Sequence, residues 1–457
     1  MIMSNFYSYI EAFKKNPTSS LAYAFTAILA ISIQIQISLF QNQTYLGLRI
    51  NVTDILIPFI GIFIIISLIT KTSLWPQWTI KRIYIWLTAL TIIFIFALFN
   101  GYTAIGEWSK WALINKMAGW FVLMSYFLLG GWLVTNFQSK SVALFTKIFI
   151  FFFLGTLILS TLEMFVRSLG FNMEFLTDQY MSGFMGNRNA YGLLIVIGLS
   201  LIISKLFYAN AKVHIYIQAL GWSFLPIAMY YSGSRALWLA TCAIVICMFV
   251  MNFKKTLLHV LPFLLIGTLI CFYGLFKLES TAGKYIGEKR MAVISEALNS
   301  NIDDLANPDR TSQLKGDFVR FRVFKDAMNM WKKAPIQGGG LGAFIHSQYK
   351  KYGGDGKEIV EIIDSTPLWL LTETGLIGLT AFLSFYSLMI YKLILISKGN
   401  QNHEHTKIAT AVVLSLIGFG VMSLFHELLY TRQIWLILGM ALALPINFKT
   451  AQKRSIH

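Results

Sequence analysis

The sequence predicts an all-α polytopic membrane protein of about twelve transmembrane helices, with one large helical loop between the ninth and tenth spans. Three observations support this fold class. The 457 residues are 56% hydrophobic and only 13% charged, whereas about a quarter of the residues in soluble proteins are charged. The apolar residues form uninterrupted runs long enough to cross roughly 30 Å of hydrocarbon. The basic residues concentrate in alternate loops, as the positive-inside rule requires.

Twelve apolar runs divide the chain. The predicted spans are 21–40, 52–70, 83–99, 117–135, 144–169, 189–207, 213–231, 236–251, 256–276, 366–396, 407–425 and 433–448. A different division of 213–251 stays open. We expect transmembrane helices 1–9 within residues 1–276, the large loop within 277–365, and transmembrane helices 10–12 with a cytoplasmic tail within 366–457.

The charge pattern orients the chain. With both termini in the cytoplasm, the inner segments carry about seventeen lysines and arginines and the short outer loops about seven. The net charge of +17 is spread over short loops between apolar runs, which argues against a nucleic-acid partner. The three cysteines, Cys242, Cys247 and Cys271, lie inside apolar runs. They predict neither a disulfide framework nor a metal site, and we expect no cofactor.

The large outer loop contains two predicted helices, over 288–300 and 317–333. The apolar residues of the second helix recur at helical spacing: Phe318, Phe321, Phe324, Ala327, Met328 and Trp331. This stripe predicts packing on the membrane domain or a position in the bilayer interface. Pro335 and the glycine-rich residues 338–342 are expected to end the helix.

Three arginines stand out in the short outer loops, where orientation alone disfavours cations. They are Arg188, Arg235 and Arg432. A guanidinium binds phosphate bidentately and stays charged, so these residues are candidate ligands for a lipid pyrophosphate. The alternative is that they anchor helix ends at the membrane interface. Arg235 is the strongest candidate, because a short Ser-Gly-Ser turn would hold it near the membrane surface.

Two carboxylates lie near the end of the large loop. Asp364 comes just before an apolar helix, for which Ser365 or Thr366 is a candidate N-cap. Asp364 is a candidate general base for a hydroxyl acceptor, and helix capping is the alternative. Glu373 lies deeper in the same span, where ionisable groups are costly. It is a candidate for substrate binding, unless a buried partner satisfies it structurally.

Four segments carry a family resemblance: residues 186–189 (Gly-Asn-Arg-Asn), the Ser234-Arg235 turn, residues 335–344 (PIQGGGLGAF), and Leu368, Glu373, Gly375 and Gly378 at the family's spacing. Between residues 183 and 379 the chain resembles the O-antigen ligase and polymerase superfamily of bacterial membrane glycosyltransferases. The resemblance implies that Arg235 binds and neutralises a leaving pyrophosphate. It also places Arg320 or Arg322 where the family has further arginines, and Asp364 stands where the family usually has histidine.

The resemblance implies a metal-independent, inverting glycosyltransferase of the bacterial inner membrane. Such enzymes move a glycan from an undecaprenyl pyrophosphate carrier to an acceptor hydroxyl on the periplasmic face. A ligase uses the lipid A core as acceptor, and a polymerase uses another lipid-linked repeat unit; ligase is our first hypothesis. The alternatives are a polysaccharide transporter or flippase and a non-catalytic partner of a glycan synthesis complex. A flippase has no need of so large an outer loop.

Overall fold

A computed structural model describes residues 17–39, 48–168, 171, 175–176, 180–208, 214–278, 315–352, 362–398 and 403–443. The helices in chain order are α1 (Pro17–Ser32), α2 (Val52–Ile69), α3 (Ile83–Ile105), a π-helix (Ala112–Ala118), α4 (Gly119–Ser168), a 3-10 turn (Gly183–Met185), α5 (Arg188–Tyr208), α6 (His214–Ser232), α7 (Arg235–His259), α8 (Leu261–Leu278), α9 (Lys315–Lys333), α10 (Ala343–Tyr352), α11 (Thr366–Lys398), α12 (His403–Ser423) and α13 (Arg432–Leu442). The predicted helix over 288–300 lies outside the described residues.

Eight of the described helical segments are long and apolar enough to cross a membrane: Val52–Ile69, Ile83–Ile105, Ala112–Phe137, Lys140–Arg167, Arg188–Lys205, Arg235–His259, Thr366–Lys398 and Glu404–Ser423. Three shorter apolar helices coincide with further predicted spans: Tyr23–Ser32, Leu261–Cys271 and Arg432–Leu442. The protein is therefore a predominantly helical, multi-pass membrane protein. The count of twelve crossings stays a prediction, although a helix lies at each predicted position.

At two places where the sequence predicts a loop between spans, the structure has a bend or kink within α4 and α7. Helix α4 runs through the predicted break after residue 135. There the Ser141 hydroxyl donates to the Leu133 carbonyl oxygen over 3.2 Å, whereas residues eight apart in a straight helix are separated by about 12 Å. In α7 the predicted break coincides with Asn252, whose φ and ψ of −158° and 85° are not helical. The chain therefore turns at both predicted places, and at Asn252 a kink divides α7 into two helical parts.

A short two-stranded sheet is added to the helical fold, and it corrects the extent of the first predicted span. Helix α1 ends at Ser32, and β1 (Gln36–Leu39) pairs antiparallel with β2 (Leu48–Asn51). The physical reason is visible in the sequence Ile33-Gln-Ile-Gln-Ile37, where apolar and polar residues alternate. This period of two suits a strand with one buried face and not a membrane helix.

The end of the large loop is built into the membrane domain. Gly375 has a φ of 68°, which breaks α11. The backbone N–H groups of Leu376 and Ile377 donate to the carbonyl oxygens of Pro335 and Ile336 over 3.0 and 3.2 Å. The loop thus accepts hydrogen bonds from backbone N–H groups that the break in α11 leaves without a partner in the helix. Irregular backbone at membrane depth is stable only where protein covers it in this way.

Helix α9 packs through a face that includes only part of the predicted stripe. Val323 and Ala327, four residues apart, are buried, whereas Phe321 is 54% exposed and Phe324 is also exposed. The helix itself is confirmed, over Lys315–Lys333. The smaller residues allow α9 to approach α11 closely, and the phenylalanines remain at the surface.

Candidate functional site

Helices α5 and α7 begin side by side. The Ser234 hydroxyl donates to Oδ1 of Asn189 over 3.2 Å and so joins the first turns of the two helices. Gly233 has a φ of 62° and turns the chain out of α6. Ser234 also accepts a hydrogen bond from the backbone N–H of Leu237 over 3.4 Å, as an N-cap residue does. The Ser-Gly-Ser turn predicted from the sequence therefore sets the position of Arg235.

Both helices have arginine as their first residue, Arg188 in α5 and Arg235 in α7. A cation is unfavourable there, because the helix dipole already places partial positive charge at the N-terminus. Backbone N–H groups of the first turn and a guanidinium together favour an anion. The Arg188 guanidinium stacks on the ring of Tyr180 at 4.3 Å, and Arg235 is exposed. The paired helix starts form a cationic surface suited to phosphate groups.

The segment 424–431, between α12 and α13, brings a histidine to the same place. His426 is 8% exposed. Burial lowers the pKa of His426, and the charges of Arg320, Arg188 and Arg235 lower this pKa further, to about 4. His426 is therefore neutral at pH 7. The charges of Arg188, Arg235 and Arg320 therefore all reach His426, and we call these three residues the arginine cluster.

Asp364 faces this cluster from the start of α11. Its Oδ2 lies 3.5 Å from Nε of Arg320, and both residues line a pocket between α9 and α11. The other lining residues are Val319, Val323, Phe324, Ile362, Ser365, Leu368, Leu424 and Phe425. The Ser365 hydroxyl accepts a hydrogen bond from the backbone N–H of Leu368 over 3.4 Å and so occupies the N-cap position. The pocket has an acidic and a basic group at its opening and an apolar wall.

One threonine ties Asp364 to His426. The hydroxyl of Thr366 donates to the carbonyl oxygen of His426 over 3.1 Å and accepts from the backbone N–H of Leu428 over 3.0 Å. Thr366 lies two residues after Asp364. The start of α11 and the segment 424–431 are therefore held as one unit.

Glu373 has partners within the protein. It is 2% exposed, its Oε2 accepts a hydrogen bond from Nε1 of Trp369 over 2.7 Å, and the backbone N–H of Gly342 donates to its carboxyl group. Glu373 therefore has a buried partner, which is the structural alternative predicted from the sequence. Among the residues that the structure describes, no group of three histidine, cysteine or acidic side chains is placed to hold a metal ion.

Residues 219–383 match the sequence model of the O-antigen ligase family. This segment is similar to the O-antigen ligase and polymerase superfamily. The match confirms the resemblance predicted from the sequence and suggests a membrane enzyme of ligase or polymerase type that acts on lipid-linked glycans. The O-antigen ligase domain contains Arg235, Arg320, Arg322, Asp364 and Glu373. A search of curated proteins found no match to the chain.

The O-antigen ligase domain does not hold the whole site. Arg188 and His426 lie outside residues 219–383, yet the charge of Arg188 lowers the pKa of His426 together with those of Arg235 and Arg320. Arg322 follows Arg320 by two residues, and residues two apart do not share a helix face. Of the two candidates on α9, Arg320 is the one that lines the pocket. A substrate contact for Arg322 stays a prediction.

Arg432, the third arginine predicted from the outer loops, has a different environment. Its Nη2 lies 3.0 Å from Oδ2 of Asp54, and Tyr126 donates to Oδ1 of Asp54 over 2.7 Å. The charge of Arg432 is not among those that lower the pKa of His426. These contacts agree with the anchoring alternative, and its substrate-binding role stays a prediction.

Sequence reasoning missed His426 and its neighbour Glu427. The available signal was a His-Glu pair in the otherwise apolar segment Ser423-Leu-Phe-His-Glu-Leu-Leu429. Ionisable residues beside a membrane span are uncommon and mark functional or paired positions. The contact between Ser234 and Asn189 had no such signal, because the two residues are 45 positions apart.

Proposed function

We propose that the protein is a membrane glycosyltransferase that moves a glycan from an undecaprenyl pyrophosphate carrier to an acceptor hydroxyl on the periplasmic face of the bacterial inner membrane. Ligation to a lipid A core acceptor is the first hypothesis, and polymerisation of repeat units is the alternative. The proposal rests on the match to the O-antigen ligase family. Its chemistry is supported by the joint electrostatic effect of Arg188, Arg235 and Arg320 on His426, by the contact between the starts of α5 and α7 and by the Arg320–Asp364 ion pair.

The arginine cluster supplies the electrostatic part of the reaction. The bond from the anomeric carbon to the pyrophosphate oxygen breaks, and negative charge accumulates on the pyrophosphate. Three guanidinium groups and two helix starts, already in place, stabilise that charge as it develops. Because the arginines remain charged at all relevant pH values, no metal ion is required in this proposal.

Asp364 is the proposed proton acceptor. The acceptor oxygen attacks the anomeric carbon from the side opposite the pyrophosphate, which inverts that carbon, and its proton passes to the Asp364 carboxylate. In the structure the carboxylate faces Arg320 at the opening of the pocket. The same arginine could thus hold the pyrophosphate and the base in one geometry. Buried Glu373 supports the segment around Gly342 in this proposal.

The test is the glycan profile of a deletion strain complemented with wild type, Arg235→Ala or Arg82→Ala. Arg82 is a matched control, because it is an exposed arginine at the start of α3, on the opposite side of the membrane in the predicted orientation. We expect Arg235→Ala to abolish transfer at normal membrane expression and Arg82→Ala to behave as wild type.

The accumulated product discriminates the hypotheses. Long polymer stranded on the undecaprenyl carrier identifies ligation as the lost step, whereas single repeat units on an intact acceptor identify polymerisation. A normal profile with Arg235→Ala contradicts the proposed role of the arginine cluster and favours a transporter or an assembly partner.

A further inference from the structure

A buried lysine contacts the segment that carries His426. Lys116 is 2% exposed and lies in the π-helix Ala112–Ala118, a type of helix found frequently at functional sites. Its ammonium group forms an ion pair and hydrogen bond with Oε1 of Glu427. Glu427 directly follows His426 in the chain. A cation so far from water persists only when it is paired.

Aromatic rings complete the surroundings of Lys116. The ring centroids of Trp369, Tyr430 and Trp111 lie 4.2, 5.2 and 5.5 Å from its Nζ. Each ring presents a π-face that attracts a cation. The Tyr430 hydroxyl also donates to the Lys116 carbonyl oxygen over 3.2 Å. Lys116 is thus held by side-chain and backbone contacts to both ends of the segment 426–430.

The same segment is fixed on its other side by α11. Thr366 binds the backbone of His426 and Leu428, and Thr366 lies two residues after Asp364. A shift of Glu427 would therefore move His426 directly and Asp364 through Thr366. Lys116 and Glu427 do not belong to the arginine cluster, so their loss leaves the groups proposed to bind pyrophosphate in place.

We propose that the Lys116–Glu427 ion pair is a positioning element, which holds segment 424–431 so that His426 and Asp364 keep their places beside the arginine cluster. The reaction it serves rests on the function proposed above. The physical argument is one of geometry: displacement of a reacting group by about 1 Å can reduce turnover about 100-fold without weakening substrate binding. The pair acts through the segment and touches no substrate.

The experiment replaces both charges at once. Removing one partner would leave a buried unpaired charge, whereas apolar side chains of similar volume often preserve stability. The variant is Lys116→Met with Glu427→Leu. The matched control is Lys407→Met with Glu404→Leu, because Lys407 and Glu404 form a 2.7 Å ion pair at the start of α12, about 30 Å along that helix from residue 424.

Two measurements are made on each purified protein: hydrogen exchange of the peptide covering 424–431, and glycan transfer at varied donor concentration. For the Lys116–Glu427 variant we expect exchange at least about 10-fold faster and a kcat about 10- to 100-fold lower, with a donor KM within about 3-fold of wild type. The control is expected to match wild type in both. If the double variant does not fold, Glu427→Gln is measured in the same way, because its amide oxygen can still accept the hydrogen bond from Lys116 while the charge attraction is lost.

Unchanged exchange in segment 424–431 would overturn the proposal, and so would an unchanged kcat despite faster exchange. A rise in donor KM with constant kcat would also contradict it, because that result assigns the pair to donor binding. If the wild type transfers no glycan, faster exchange in the double variant would still support the positioning role of the ion pair. The proposed function would then be rejected instead. The two proposals therefore fail in different measurements.

Discussion

Arg235 and Arg432 have the same local setting and different tertiary environments. Each is the first residue of a helix, each follows a serine or threonine at the N-cap position, and each lies on the predicted periplasmic side. Arg432 is 16% exposed in its side chain and is paired with Asp54. Arg235 is exposed and acts on His426 together with Arg188 and Arg320.

A serine or threonine at the N-cap position followed by arginine therefore does not by itself identify an anion site. The dipole makes this position unfavourable for any cation. One solution is a carboxylate from another helix, as Asp54 provides for Arg432. The other is an exposed position near further guanidinium groups, as Arg235 has beside Arg188 and Arg320. Which solution applies depends on the element that packs opposite.

The largest expected effect is the loss of glycan transfer in Arg235→Ala, which distinguishes Arg235 from Arg432. Arg235→Ala should lower kcat/KM for glycan transfer about 100- to 1000-fold, because one preorganised group that stabilises the leaving charge is lost. Its thermal unfolding midpoint in detergent should remain that of wild type. Arg235 would belong with Arg432 as an anchor if the variant kept its activity and lost stability instead.

A second prediction concerns the base that faces the arginine cluster. Asp364→Asn should lower transfer about 100-fold, since the amide cannot accept the proton, whereas Asp364→His should preserve part of the activity. Both variants are compared in steady-state transfer assays. Equal activity of the two variants would indicate that Asp364 stabilises the start of α11 and does not take part in catalysis.

The third prediction applies to the paired arginine. Arg432→Ala leaves the Asp54 carboxylate in a poorly exposed place, still bonded to Tyr126 and to the backbone of Asn51. Loss of one partner from such a pair should reduce the free energy of unfolding by about 4 kcal/mol. The folded fraction should keep its transfer rate, and exposed Arg82→Ala is the control. Loss of activity at unchanged stability would place Arg432 in the substrate site after all.

The smallest effect is a pH dependence of stability. The pKa of His426 is about 4 in the folded protein and about 6.5 in an unfolded chain. Below about pH 6.5 the unfolded state binds a proton that the folded state does not, so stability falls as pH decreases and levels off below about pH 4. The total change is about 3 kcal/mol at most.

Unfolding midpoints measured between pH 4 and pH 8 test this dependence. His426→Gln should flatten the curve. Arg235→Ala should flatten it partly, because one of the charges that lower the pKa of His426 is removed, and Arg432→Ala should leave its slope unchanged. Identical slopes for Arg235→Ala and wild type would show that the charge of Arg235 does not lower the pKa of His426.

Several parts of the site were accessible from the sequence because they depend on local chemistry. The Ser-Gly-Ser turn predicted where Arg235 would lie, and the helix after Asp364 was recognisable by its length and apolar composition. Helix α9 was predicted within two residues at its start and correctly at its end. The packed face of α9 was predicted only in part. Ala327 of the predicted stripe is buried, but the contact with α11 places Val323 beside it and leaves Phe321 and Phe324 exposed.

The sequence by itself determined that the chain is a helical membrane protein, since uninterrupted apolar runs have few alternatives in a bilayer that cannot satisfy open backbone groups. The sequence also showed which part of the chain resembles the O-antigen ligase family. Only the tertiary structure decided that Asn189 meets Ser234, that Asp54 neutralises Arg432, and that Lys116, Glu427 and His426 are joined. Charges so distant along the chain interact only once the helices have packed, and pairing them is what makes their burial tolerable.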